Sequence, residues 1–123
     1  MKPMDAAVRL EWTAVAVAAV VLYALTGVSW WLFALLILAP DLSMLGYLAG
    51  PRIGALAYNM FHMLVLPALL AVAGLWTGHE VATAVATIWV AHIAADRALG
   101  YGLKRASGFR DTHLGRIGRD VNP

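Results

Sequence analysis

Two histidines and two aspartates stand in otherwise apolar surroundings in this chain: Asp41, His62, His92 and Asp96. His92 and Asp96 are four positions apart, so on a helix they stack on one face, and Tyr58 and His62 share the same spacing with Asn59 beside them. Imidazole nitrogens and carboxylate oxygens brought to one place form the ligand set of a divalent cation such as zinc, manganese or iron. The competing use of the same groups is a buried hydrogen-bond network that fixes helix packing, with Asp96 paired to Arg97 or His62. Two further ionisable groups lie in apolar stretches, Glu11 and Arg97. If a metal is held, Glu11 is the candidate general base or fifth ligand, and Arg97 the candidate contact for an anionic headgroup. Their plainer roles are an interfacial charge for Glu11 and snorkelling for Arg97. Cysteine is absent, which removes disulfides and thiolate ligands from consideration.

The elements that must carry these groups are set by composition. Of 123 residues 62% are hydrophobic and 13% charged, against about 25% charge in a soluble domain whose surface faces water. The apolar residues fall into four blocks, 10–28, 30–49, 53–76 and 81–103. Each is close to the ~20 residues that a helix rising ~1.5 Å per residue needs to cross the bilayer core. Turn residues separate them: Thr26-Gly27-Val28-Ser29, Gly50-Pro51-Arg52-Ile53-Gly54 and Thr77-Gly78-His79-Glu80. The expected fold is therefore all-α and integral to the membrane, a four-helix transmembrane bundle over 1–103 with a basic cytoplasmic tail over 104–123.

Lys2 and Arg9 precede the first block, Arg52 lies between the second and third, and Lys104, Arg105, Arg110, Arg116 and Arg119 follow the fourth. This one-sided placement predicts an N-in, C-in membrane protein. The first block is expected to be retained as a span and not cleaved as a secretory signal. Membrane lipids are the expected surroundings, a homo-oligomer is open, and no nucleic-acid partner is expected. Counted from the cytoplasmic ends, Asp41, His62, His92 and Asp96 lie about 10 to 17 Å deep, in one layer. Ionisable groups at that depth cost about 2.5–3.5 kcal/mol each and call for a partner or a task. Pro40 can kink the second helix and turn Asp41 inward. Trp30, Trp31, Tyr47, Trp76 and Tyr101 fall near span ends, where aromatic rings favour the headgroup boundary. Ala14 and Ala18 offer a small-residue surface for close helix contact. In the tail, Asp111-Thr112-His113 either stays solvated or folds back over a site at the membrane surface.

The stretches Pro40-Asp41-Leu42-Ser43-Met44-Leu45-Gly46-Tyr47, Gly50-Pro51-Arg52-Ile53-Gly54-Ala55 through Tyr58-Asn59-Met60-Phe61-His62, and Trp89 to Lys104 resemble a family of small bacterial membrane proteins whose function is unassigned. More loosely, Pro40-Asp41, His62 and His92-Ile93-Ala94-Ala95-Asp96 are similar to the Pro-Asp, His and His-x-x-x-Asp pattern of membrane-bound metal-dependent hydrolases related to zinc phospholipases. That resemblance implies Asp41, His62, His92 and Asp96 as metal ligands and a lipid or other membrane ester as substrate. The chain departs from the pattern where an early histidine is replaced by the region of Arg9 and Glu11. Two non-enzymatic alternatives are a haem carrier, with His62 and His92 as axial ligands, and a proton or ion conductor using the acid and histidine layer.

Overall fold

The computed structural model describes the backbone of residues 3–101, 104–105, 108–112 and 115–116 and the side chains of residues 5–101. Lys2, Leu103, His113 and Arg119 lie outside the described residues. Helix α1 spans Pro3–Thr26 and α2 spans Trp30–Leu36. A 3₁₀ helix over Ala39–Ala49 follows, then α3 (Pro51–His62), α4 (Val65–Thr77) and α5 (Glu80–Ala98). Short strands β1 (Lys104–Arg105), β2 (Gly108–Thr112) and β3 (Gly115–Arg116) form an antiparallel sheet in the tail, in the order β1-β2-β3. The sheet packs against α3.

The turns follow from local chemistry. Ser29 caps α2 by accepting the Trp31 N–H at 3.2 Å. Gly78 ends α4 in the left-handed region, with φ at 70°, where a side chain would be strained. The His79 N–H then reaches back to the Gly74 carbonyl at 2.8 Å, and the His79 ring caps α5 by accepting the Ala82 N–H at 3.0 Å.

Three stretches are long and apolar enough to cross a membrane: Asp5–Thr26, Trp30–Ala49 and Pro51–Thr77. They correspond to the first three blocks of the sequence, but two of them are built from two helical pieces. The second joins α2 to the 3₁₀ helix, and the third joins α3 to α4. The fourth block becomes α5, which is not in this apolar group; it carries Glu80, His92, Asp96 and Arg97. Its packing explains the difference. Helix α5 touches α1, α2 and α4, and Ala84, Ala86, Ile88, Ala91, Ile93 and Ala94 are buried along it. Protein, not lipid, covers most of its surface, so the requirement for large apolar side chains is relaxed. The other helices are arranged the opposite way, with Leu10, Leu25, Trp31, Leu48 and Trp76 facing outward. Apolar surface on this scale is foreign to a soluble monomer and natural in contact with acyl chains.

At one end of the bundle, the Arg9 Nε–H donates to the Ala98 carbonyl at 2.7 Å, so the start of α1 stands beside the end of α5. Toward the other end, Tyr23, Ala84 and Ile88 form an apolar core with Leu32, Phe33, Leu36 and Ile37. The Tyr23 hydroxyl is satisfied by donating to the Ser29 carbonyl at 2.6 Å. The 3₁₀ helix and α3 approach closely at Gly54, where a Cβ would run into the Tyr47 ring, and at Gly46, where it would meet the Ala57 Cβ at 2.9 Å. Tyr47 thus lies against α3, whereas Trp31 and Trp76 are exposed near the span ends as expected. This crossing sets the distance between Asp41 on one element and His62 on the other.

Candidate metal centre

Both of the interrupted spans break at the level of His92, and each break releases backbone carbonyls. In the second span Pro40 has no N–H to give, and the Asp41 N–H bonds to the Leu38 carbonyl at 3.0 Å. The Ile37 carbonyl is thereby left to accept from His92 Nδ1 at 2.6 Å. Eleven residues of 3₁₀ helix then follow, where runs beyond three or four are uncommon and often mark a functional hinge. In the third span α3 stops at His62 and α4 starts at Val65, with Pro67 in its first turn. The last carbonyls of α3 are capped by side chains of α5: Trp89 Nε1–H donates to the Phe61 carbonyl at 2.7 Å, and an Arg97 Nη2–H to the His62 carbonyl at 2.8 Å. Irregular backbone at membrane depth is tolerated where protein satisfies it in this way.

The breaks bring four side chains to one point. One ligand atom from each of Asp41, His62, His92 and Asp96 lies within 4.8 Å of all the others. Asp41 Oδ1 is 3.1 Å from His62 Nε2 and 3.0 Å from His92 Nε2. Asp96 Oδ2 is 3.4 and 3.3 Å from the same two nitrogens, which are 3.1 Å from each other. A tetrahedron with bonds of about 2.0–2.1 Å has edges of about 3.3–3.4 Å. The observed separations match that frame, slightly contracted.

The tautomers make the match chemically pointed. His62 Nδ1 lies 2.8 Å from the Tyr58 carbonyl, and His92 Nδ1 lies 2.6 Å from the Ile37 carbonyl. A carbonyl only accepts, so each Nδ1 carries the hydrogen, and in its neutral form each ring turns a bare Nε2 lone pair inward. Two such lone pairs and two carboxylate oxygens then face one another with no donor between them. Positive charge relieves this arrangement, either as protons on Nε2 or as a metal ion, which the group could hold. The imidazoles are held rigidly: His62 is fully buried and stacks on the Tyr58 ring at 3.7 Å and 7°, and His92 is 4% exposed. The carboxylates form the open side of the cluster, with Asp41 and Asp96 side chains 32% and 18% exposed.

All four residues that the sequence singles out as ligands are brought together. The other two are placed differently. Glu11 is exposed on α1 and is not one of the four. Arg97 is buried, its Nη1–H donates to the Tyr101 carbonyl at 3.0 Å, and its guanidinium lies 6.0 Å from the Trp12 ring centroid. It is thus the cap of α3, engaged with carbonyls, and does not snorkel outward. Sequence reasoning missed the break after His62 and the capping roles of Trp89 and Arg97. Pro67 was the available signal, since a proline denies an N–H to the carbonyl four residues earlier, here Met63. The same geometry argues against the haem alternative. Axial imidazole nitrogens on one iron stand about 4 Å apart, with the macrocycle spreading between them, whereas Asp41 and Asp96 oxygens occupy that space here.

Helices of membrane-crossing length around an inward-facing cluster of two histidines and two aspartates define a membrane-type helical protein with a buried group that could hold a metal ion. The chain belongs to the family described as a domain of unknown function (DUF4260), which matches residues 5–117. No curated protein and no solved structure matches it. The comparisons bring no support for the likeness to metal-dependent hydrolases.

Proposed function

We propose that this is a four-span, N-in and C-in protein of the bacterial inner membrane that binds one divalent metal ion through Asp41, His62, His92 and Asp96 and uses it to hydrolyse a lipid or other membrane ester. The observation that supports the metal reading is the convergence of two Nε2 atoms and two carboxylate oxygens at 3.0–3.4 Å, with both Nδ1 atoms turned to backbone carbonyls. Four crossings are supported by the Arg9 to Ala98 contact, because a chain whose first and last helices begin and end on the same side crosses an even number of times. The basic residues at that end favour the cytoplasmic side.

Two nitrogen and two oxygen ligands suit zinc, with manganese and iron as the next candidates. A bound metal would acidify water and polarise an ester carbonyl. Four fixed protein ligands would close a tetrahedral site, so catalysis needs a fifth position. The half-open carboxylates are the ligands able to yield it, while the carbonyl-bound imidazoles stay in place. Arg97 is a positioning residue in this proposal, holding the His62 backbone, and Glu11 is assigned no step because it stands exposed on α1. Conduction is disfavoured by the apolar core of Tyr23, Ala84 and Ile88, which leaves the cluster no polar continuation through that part of the bundle.

The test is turnover of a fluorogenic lipid ester by detergent-purified protein. Activity lost to a chelator, restored by one equivalent of zinc or manganese and absent in Asp96→Asn supports the assignment. A full metal complement without turnover of any ester removes the hydrolase and leaves the metal centre.

A further inference from the structure

An apolar cavity of about 190 Å³ is lined by Leu36, Ala39 and Pro40 of the second span, Phe61 of the third and Val85, Ile88 and Trp89 of α5. Its residues adjoin the ligands directly in the chain. Pro40 precedes Asp41, Phe61 precedes His62, and Ile88 is one helical turn before His92 on the same face. The two helix breaks that free the orienting carbonyls also part the spans here. Trp89 fixes one wall, since its indole N–H holds the Phe61 carbonyl and its ring stacks on Phe61 at 5.8 Å.

We propose that this cavity receives one acyl chain of a membrane lipid, and so presents that lipid's polar end to Asp41, His62, His92 and Asp96; the second half of this statement rests on the metal-centre reading. An apolar cavity near ~150 Å³ stays dry and takes an apolar guest, because water inside it would find no hydrogen-bond partners. This cavity is larger, and its lining side chains are apolar apart from an indole N–H already engaged. It lies between α5 and two stretches of membrane-crossing length, Trp30–Ala49 and Pro51–Thr77, so acyl chains are the medium at its mouth. An ester substrate with a hydrocarbon tail would bind with the tail in the cavity and the ester near the carboxylates. That defines the substrate class as single-tail or tail-accessible amphiphiles, in preference to water-soluble esters.

The experiment is photo-crosslinking in phosphatidylethanolamine and phosphatidylglycerol vesicles doped with a phospholipid that carries a diazirine in mid-chain. Adducts mapped by mass spectrometry should be enriched at least fivefold on Ala39–Pro40 and Val85–Trp89 over the outward-facing Val17 and Val21 of α1. Val85→Phe and Ala39→Phe each fill the cavity from a different side. Either variant that keeps wild-type helical content should lose that enrichment while retaining wild-type zinc content. Even labelling of all outward surfaces, or enrichment that survives both filling variants, overturns the proposal. Zinc binding with even labelling sinks the chain site alone, whereas enriched labelling in protein that binds no metal upholds the chain site and sinks the metal centre.

Discussion

Replacing Pro40 with alanine restores a backbone N–H where the second span now breaks, and removes the ring that blocks a continuous helix. Alanine is favoured over proline inside a helix by about 3 kcal/mol, so α2 is expected to run on into the present 3₁₀ segment. A 3₁₀ helix turns about 120° per residue and an α-helix about 100°, so the three steps from Leu38 to Asp41 rotate the aspartate by about 60°. For an oxygen roughly 5 Å from the helix axis that is a movement of about 5 Å. The contacts at stake are 3.0 and 3.1 Å from Asp41 Oδ1 to the two imidazoles, so the ligand leaves the cluster. The Asp41 N–H also turns to the Ile37 carbonyl and competes with His92 Nδ1 for it. Loss of an orienting partner alone weakens metal binding by about 10–100-fold, or roughly 1.4–2.7 kcal/mol. Competitive chelator titration with zinc, alongside circular dichroism and thermal melts, measures this. The expected signature is unusual: weaker zinc binding with unchanged or raised stability of the metal-free protein. Zinc affinity equal to wild type in Pro40→Ala would refute the argument that the break positions the ligands.

Arg97→Gln leaves the His62 carbonyl without its charged donor and should cost about 1–3 kcal/mol, lowering Tm and weakening zinc binding together, with partial recovery in Arg97→Lys. An unchanged melt would show that the cap is dispensable. Gly54→Ala drives a methyl group into the Tyr47 ring, and overpacking of this kind costs about 1–3 kcal/mol, read as a lower Tm. Reporter fusions at Gly78 and after Pro123 should report the periplasm and the cytoplasm respectively; the reverse pattern, or both on one side, contradicts the four-span orientation.

The cluster was legible because its residues are chemically conspicuous. An aspartate or histidine amid leucine and alanine at bilayer depth demands compensation, and the four-residue spacings of Tyr58 with His62 and His92 with Asp96 fix their faces without any tertiary information. Pro40 beside Asp41 likewise announced a bend. The continuity of the third span was misjudged, because its hydropathy runs unbroken through Met63 and Leu64 and hydropathy does not register a missing hydrogen bond. The length of the 3₁₀ helix was hidden for a related reason: it depends on how closely Gly46 and Gly54 let two elements approach, which is a property of the pair. The role of Arg97 was ambiguous from sequence alone. A long cationic side chain in a span can reach the headgroups or cap a broken helix, and only the position of the α3 terminus decides between them.

Metal content of the intact protein tests the central claim most directly. Protein purified in detergent without chelators and analysed for transition metals should hold close to one equivalent of a single divalent ion per chain, and His92→Ala should hold none while keeping its helical content. Wild-type protein with less than a tenth of an equivalent, whose melting temperature does not rise on addition of zinc or manganese, would contradict it and leave Asp41, His62, His92 and Asp96 as a protonated packing network.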